Sequence, residues 1–137
     1  MRLFLDTNVM LDLLGKREPF FESAAIIVSL ADKGKATLSV SGLSYSTTDY
    51  FLKKITSPSK SIESLRKFKT ISDIVALDEV IIEKSLNSGF LDFEDSLQYF
   101  SAIKAGAQFI ITRNVKDFKD PEIPVLTPDE FLALQNK

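Results

Sequence analysis

The chain has 137 residues, of which 45% are hydrophobic and 26% charged, and its formal net charge at pH 7 is −2. This size suits one domain with one core, so we expect residues 1–137 to fold together. No run approaches the roughly 18 apolar residues that a membrane span needs, and no signal-peptide pattern opens the chain. The chain contains no cysteine and no histidine. This excludes Ser-His-Asp and Cys-His catalysis as well as the usual zinc sites, and it agrees with a cytoplasmic location.

Strand-like and helix-like segments alternate along the chain. The predicted strands are Leu3–Leu5, Ala36–Val40, Ile71–Leu77, Phe109–Thr112 and Pro124–Leu126. Amphipathic helices are predicted between them and after the last one. Asn8 is expected to cap the first helix, Pro19 to lie in the first turn of the second, and Pro58 to lie in a loop. This alternation predicts an α/β domain with a mostly parallel sheet of four to five strands, covered by helices on both faces.

Polar side chains follow the first and fourth predicted strands. They are Asp6 and Asn8 after the first strand, and Thr112, Asn114 and Asp117 after the fourth. Ligands of open α/β sheets bind at the carboxyl ends of the strands. If these two strands are neighbours, the two groups of side chains form one polar site.

A third acid, Asp95, is predicted in the first turn of the helix that leads into the fourth strand. Clustered carboxylates repel one another unless a cation neutralises them. With neither cysteine nor histidine available, a metal here must have oxygen ligands, which suits Mg²⁺ or Mn²⁺. Asp6, Asp95 and Asp117 are therefore the candidate metal ligands and catalytic acids.

Each of these residues, taken alone, also has a structural explanation. Asp95 favours the positive end of a helix, Asn8 is a good cap, and Asp117 suits a surface loop. Asp12 is expected to be structural. Asp6 is the hardest to explain in this way, because apolar neighbours indicate a mostly buried turn.

Three segments together resemble the PIN-domain family, which includes the toxin ribonucleases of bacterial toxin–antitoxin pairs. They are Leu5–Asp12, Asp92–Gln98 and Ile111–Phe118, and they occur in the family's order over nearly the whole chain. The resemblance implies a Rossmann-like three-layer α/β/α sandwich. It also implies a Mg²⁺- or Mn²⁺-dependent endoribonuclease that cleaves RNA by metal-activated water, with an antitoxin partner and a homodimer.

Carried over by motif, the resemblance makes Asp6 and Asp95 metal ligands, with Asp117, or Asn114 through water, completing the acidic pocket. The residues expected to position substrate or water are Asn8, Thr112 and Asn114.

One feature departs from the family pattern. Family members usually carry a glutamate early in the helix after the second strand, where this chain has Thr47. Asp49 lies roughly 200° further around that helix, so it is a poor substitute. An alternative function is therefore a catalytically weakened PIN fold that binds RNA or protein. A third hypothesis, an aspartate-nucleophile phosphatase, needs a second aspartate where Asn8 stands.

Basic residues are concentrated between Lys53 and Lys69. This segment carries six lysines and arginines against one acid, a net +5 in a chain whose total is −2. It could contact phosphates, although lysines commonly cover solvent-exposed helices.

Overall fold

The structure is a computed structural model that describes residues 1–136. Its centre is a five-stranded, entirely parallel sheet with the strand order β3-β2-β1-β4-β5. The strands are β1 (Arg2–Leu5), β2 (Thr37–Ser41), β3 (Ser72–Val75), β4 (Phe109–Ile111) and β5 (Val125–Leu126). The predicted strands and their parallel direction are confirmed.

Seven α-helices connect and cover the strands. They are α1 (Thr7–Leu14), α2 (Phe21–Asp32), α3 (Gly42–Ile55), α4 (Pro58–Lys69), α5 (Glu79–Leu86), α6 (Phe93–Lys104) and α7 (Pro128–Gln135). A short 3-10 turn, Val115–Asp117, follows β4. Within the described residues, no helix is both long and apolar enough to cross a membrane.

Alternate residues of β1 point into two separate cores, as the two-residue period of a strand requires. Leu3 and Leu5 pack with residues of α1, α2, α4 and α7, whereas Phe4 packs with residues of α5 and α6. All three side chains are fully buried, and each contributes about 1.5–3 kcal/mol by leaving water. The sheet is therefore the middle layer of the expected α/β/α sandwich.

The pairing of β1 with β4 determines what meets at their carboxyl ends. Leu5 lies opposite Ile111, and the pairing extends one residue further because the Asp6 backbone N donates to the Ile111 carbonyl at 3.0 Å. Asp6 and Thr112 therefore leave the sheet side by side. This confirms that the first and fourth strands are neighbours.

Three helix starts differ from the sequence prediction. Asp6, not Asn8, caps α1: its backbone is extended and its side chain accepts from the Thr7 backbone N. The helix α2 begins at Phe21, so Pro19 precedes it. Pro58 is the first residue of α4 rather than part of a loop, because a proline needs no amide partner at that position.

Candidate active site

Asp6 lies at the carboxyl edge of the sheet, between β1 and β4, and is only 7% exposed. Its Oδ1 accepts hydrogen bonds from the Thr7 backbone N at 2.8 Å and from Gln98 Nε2 at 3.0 Å. Its Oδ2 accepts one from Thr112 Oγ1 at 2.8 Å. All three donors are uncharged, so they fix the carboxylate without neutralising it.

Gln98 connects Asp6 to the end of the neighbouring strand β2. Its side chain is 1% exposed, and its Oε1 accepts from Ser41 Oγ at 2.5 Å. Its Nε2 also lies 2.9 Å from Ser44 Oγ at the start of α3. Sequence reasoning placed Gln98 in a family motif but gave it no role. The one available signal was an amide three residues after Asp95, the spacing that puts two side chains on one helix face.

Asp95 lies in the first turn of α6, close to four other acids. Burial, followed by the negative charges of Asp92, Asp6, Asp117 and Glu94, raises the pKa of Asp95 from 3.8 to about 7. The geometry therefore brings the three predicted ligands into one electrostatic field. This is the opposite of an ordinary surface carboxylate at a helix start, which the helix dipole would favour in its charged form.

Two further acids of the site received no functional role from the sequence. Asp92 caps α6, where its Oδ1 accepts from the Asp95 backbone N at 3.0 Å. Burial raises the pKa of Glu94, and the charges of Asp92 and Asp6 raise it further. Both acids line a cleft of about 380 Å³ together with Asp6, Asp95 and Asp117. Only their position beside Asp95 in the sequence could have indicated this.

The loop after β4 is tied to α1 by Asn8 and Thr112. The Thr112 hydroxyl is fully buried and accepts from Asn8 Nδ2 at 3.2 Å and from the Asn114 backbone N at 3.1 Å. Asn8 Oδ1 accepts from the Arg113 backbone N at 3.2 Å. Asn8 is therefore a link between two elements rather than a helix cap. Asn114 and Asp117 are both exposed, and both line the acidic cleft.

A buried ion pair lies beneath this loop. Asp12 is 1% exposed, and its carboxylate accepts from Arg17 Nε at 2.9 Å and from Arg113 Nε at 2.7 Å. This agrees with the structural role expected for Asp12. Arg17 also lines the acidic cleft, so it brings a positive group to the cleft that the sequence prediction missed.

The helix α3 approaches the cleft without an acid. Asp49 accepts from Ser61 Oγ at 2.6 Å and pairs with Lys53 at 3.9 Å, so its carboxylate serves the packing of α3 on α4. Phe51 lines the cleft instead. Thr47, at the position of the expected glutamate, is half-buried and uncharged.

The charge and the donor atoms of the cleft fit a divalent cation. The five carboxylates offer only oxygen donors, and none of the five forms an ion pair within residues 1–136. Across the same residues, no three acidic side chains are grouped closely enough to hold one ion by themselves. An ion in this cleft would therefore be held by one or two carboxylates and several waters, as is common for Mg²⁺.

The fold and the cleft together define an α/β protein with an acidic site at the carboxyl edge of a parallel sheet. A family model described as "PIN domain" matches residues 2–116. The chain therefore belongs to the PIN domain family. It is 30% identical over 140 residues to "Ribonuclease VapC1" of Aquifex aeolicus (strain VF5), covering 98% of this chain and 96% of that protein.

Solved structures share the fold at lower identity. The chain of VapBC2 from Rickettsia felis, bound to a promoter DNA fragment, matches with a TM-score of 0.64 and 19% identity over 92% of this chain and 97% of its own. A chain of FitAB bound to a DNA fragment matches with a TM-score of 0.64 and 16% identity, over 92% of this chain and 94% of its own. Mycobacterium tuberculosis VapC20, a sarcin–ricin loop cleaving toxin, matches with a TM-score of 0.63 and 15% identity, over 79% of this chain and 86% of its own.

Proposed function

We propose that the protein is a Mg²⁺- or Mn²⁺-dependent endoribonuclease and the toxin of a toxin–antitoxin pair. The observation that carries this proposal is one cleft lined by five carboxylates, in which burial and the charges of the other four raise the pKa of Asp95 to about 7. A fold gains nothing from such repulsion, whereas a cation site does. A relative that matches nearly the full length of this chain is named as a ribonuclease, which supports RNA cleavage as the reaction.

The proposal gives roles to three acids of the cleft and to two side chains that support them. Asp6 and Asp95 would hold a Mg²⁺ or Mn²⁺ ion, with Asp117 completing the acidic wall. Such an ion would supply an acidified water and screen the charge of the phosphodiester. Thr112 and Gln98 keep the Asp6 carboxylate in one orientation.

The phosphate itself needs a positive contact. Arg17 lines the cleft and uses its Nε for Asp12, so its two terminal nitrogens remain available to orient a phosphate oxygen. Asn114, which is exposed and also lines the cleft, is placed to position the sugar or the attacking water.

The test compares Asp6→Asn with Asp49→Asn, which removes the same charge outside the cleft. We expect Mn²⁺ binding, measured by calorimetry, and cleavage of a structured RNA to be lost in Asp6→Asn and retained in Asp49→Asn. If the wild type binds no Mn²⁺ and leaves RNA intact, the proposal is refuted. Equal activity in Asp6→Asn and wild type would refute the assigned site.

A second candidate function is a weakened PIN fold that binds RNA or protein without cutting. It is favoured by Thr47 at the glutamate position and by the absence, in residues 1–136, of three acids grouped tightly enough for one ion. Thr47→Glu distinguishes the two functions: metal affinity and cleavage that arise only in this variant would favour the binding module. An aspartate-nucleophile phosphatase is disfavoured, because Asn8 uses its amide to hold Thr112 and the Arg113 backbone.

The proposed partners follow from the same function. We expect RNA as substrate, an antitoxin protein that masks the cleft, and a homodimer, in a protein of the cytoplasm. VapBC2 and FitAB, which share the fold, were solved bound to DNA. An antitoxin that binds DNA is therefore the kind of partner that we propose here. Co-expression with the protein encoded next to this chain, followed by size-exclusion chromatography with light scattering, tests both the partner and the dimer.

A further inference from the structure

A second cleft, here called the Phe20 cleft, lies directly beside the acidic one. Its volume is about 400 Å³, and its lining includes Phe20, Ser23, Arg113, Asn114 and Asp129. Asn114 also lines the acidic cleft. The two clefts therefore meet at one side chain, Asn114.

An aromatic ring and a guanidinium group form a platform in the Phe20 cleft. Phe20 is 38% exposed, and Arg113 Cζ lies 3.9 Å from the centroid of its ring. Arg113 is held in place by Asp12, which accepts from its Nε at 2.7 Å and its Nη2 at 3.2 Å. Because the buried carboxylate fixes the guanidinium plane, the platform is ordered before any ligand arrives.

Polar groups surround this platform. The Ser23 hydroxyl donates to Asp129 Oδ1, which leaves the other carboxylate oxygen as an acceptor for an N–H donor. Asn114 is exposed and carries both a donor and an acceptor. A flat ligand that stacks on Phe20 would therefore find hydrogen-bonding groups around its edge.

We propose that the Phe20 cleft binds an unpaired nucleobase of the RNA whose phosphodiester occupies the acidic cleft. Single-stranded nucleic acids are recognised by stacking of bases on aromatic rings and on arginine planes, with polar groups at the base edge. The proposal rests on the ribonuclease function proposed above. It adds a subsite that selects substrates with an unpaired nucleotide next to the cleaved bond.

The chain contains no tryptophan, so a single introduced tryptophan reports on each position. Phe20→Trp places the reporter in the cleft, and Leu86→Trp places one on α5, where Leu86 is 66% exposed and outside both clefts. Both reporters are made in the Asp95→Asn variant, which removes one negative charge from the acidic cleft. EDTA is added to remove divalent ions, so that no metal-dependent cleavage takes place. The probe is a fluorescein-labelled single-stranded RNA of mixed sequence, whose binding is measured independently by anisotropy.

We expect RNA to quench the Phe20→Trp reporter with the same midpoint as the anisotropy change, and to leave the Leu86→Trp reporter unaffected. In the otherwise wild-type protein with Mn²⁺, Phe20→Leu should raise KM by roughly 5- to 100-fold, the usual effect of losing one stacked base. Phe20→Tyr keeps an aromatic face and should restore the wild-type KM.

Three results would overturn the subsite. If RNA binds without quenching the Phe20→Trp reporter, while the protein with Asp95 intact cleaves RNA in the presence of Mn²⁺, the subsite is refuted and the proposed function stays intact. Quenching by the co-expressed protein partner but not by RNA assigns the cleft to that partner. If the Asp95→Asn reporter variants do not bind RNA and the wild type with Mn²⁺ does not cleave it, the subsite and the proposed function are both refuted.

Discussion

Replacing Asp95 by asparagine should stabilise the protein at and above neutral pH. The folded protein holds the proton of this carboxyl up to a pKa of about 7, whereas the ordinary value is 3.8. Between these two values the folded chain binds more protons than the unfolded chain, so stability falls as pH rises through the interval. Well below pH 3.8 the group is protonated in both states, and well above pH 7 the loss is complete.

The size of this effect follows from the same two values. Their difference corresponds to an upper bound of about 4 kcal/mol. Asp95 is partly open to solvent, and screening by water reduces the effect to about 1–2 kcal/mol. We therefore expect Asp95→Asn to raise Tm by about 3–8 °C at pH 8, and to match the wild type near pH 4.

The assay is thermal unfolding of both proteins from pH 4 to pH 8, without divalent ions and at low salt. The difference between the two curves isolates Asp95 from the other carboxylates. Asp49→Asn is the control, because Asp49 is held by Ser61 and Lys53 and its loss should bring no gain. Equal stability of Asp95→Asn and the wild type at pH 8 would show that the acids do not repel one another as argued.

Other predictions concern the groups that support the site. Asp12→Ala leaves two guanidinium groups without their buried acid and should lower the free energy of unfolding by about 3 kcal/mol, measured in urea. Gln98→Leu leaves buried acceptors unpaired and should cost about 1–3 kcal/mol, together with a lower kcat because Asp6 loses a fixed donor. Thr127→Ala breaks the capping box of α7 and should cost about 1 kcal/mol, with no change in Mn²⁺ affinity.

The fold could be predicted because its signals are local. Apolar runs such as Leu3–Leu5 and Phe109–Ile111 are short enough to be strands and apolar enough to be buried on both faces. Glycine and proline mark several connections between helices and strands, and Gly34, with φ +69°, lies just after the end of α2. The full strand order was not predicted; the sequence argument assumed only that β1 and β4 are neighbours, which the structure confirms.

The supporting contacts of the site could not be predicted, because they depend on how distant elements are rotated. Asn8 and Asp6 are equally good caps by residue type, and the extension of the β1–β4 pairing to Asp6 decided between them. The inward face of α6 could be recognised from its apolar residues. The sequence did not indicate that Gln98, on the same helix, would connect the ends of β1 and β2. The stacking of Arg113 on Phe20 joins residues far apart in the chain and leaves no local pattern.

The missing acid of α3 can be weighed against what α6 supplies. Asp6 has three uncharged donors that hold it in place, whereas Asp95 is surrounded by charges of its own sign. A cation in the cleft would therefore stabilise the protein mainly by reducing the repulsion on Asp95. Asp92 and Glu94, from the same turn of α6, would attract the cation as well. Mn²⁺ at about 100 times its Kd should then stabilise the wild type at pH 8 by about 2.7 kcal/mol. It should stabilise Asp95→Asn clearly less, since that variant has already lost the repulsion that the ion relieves.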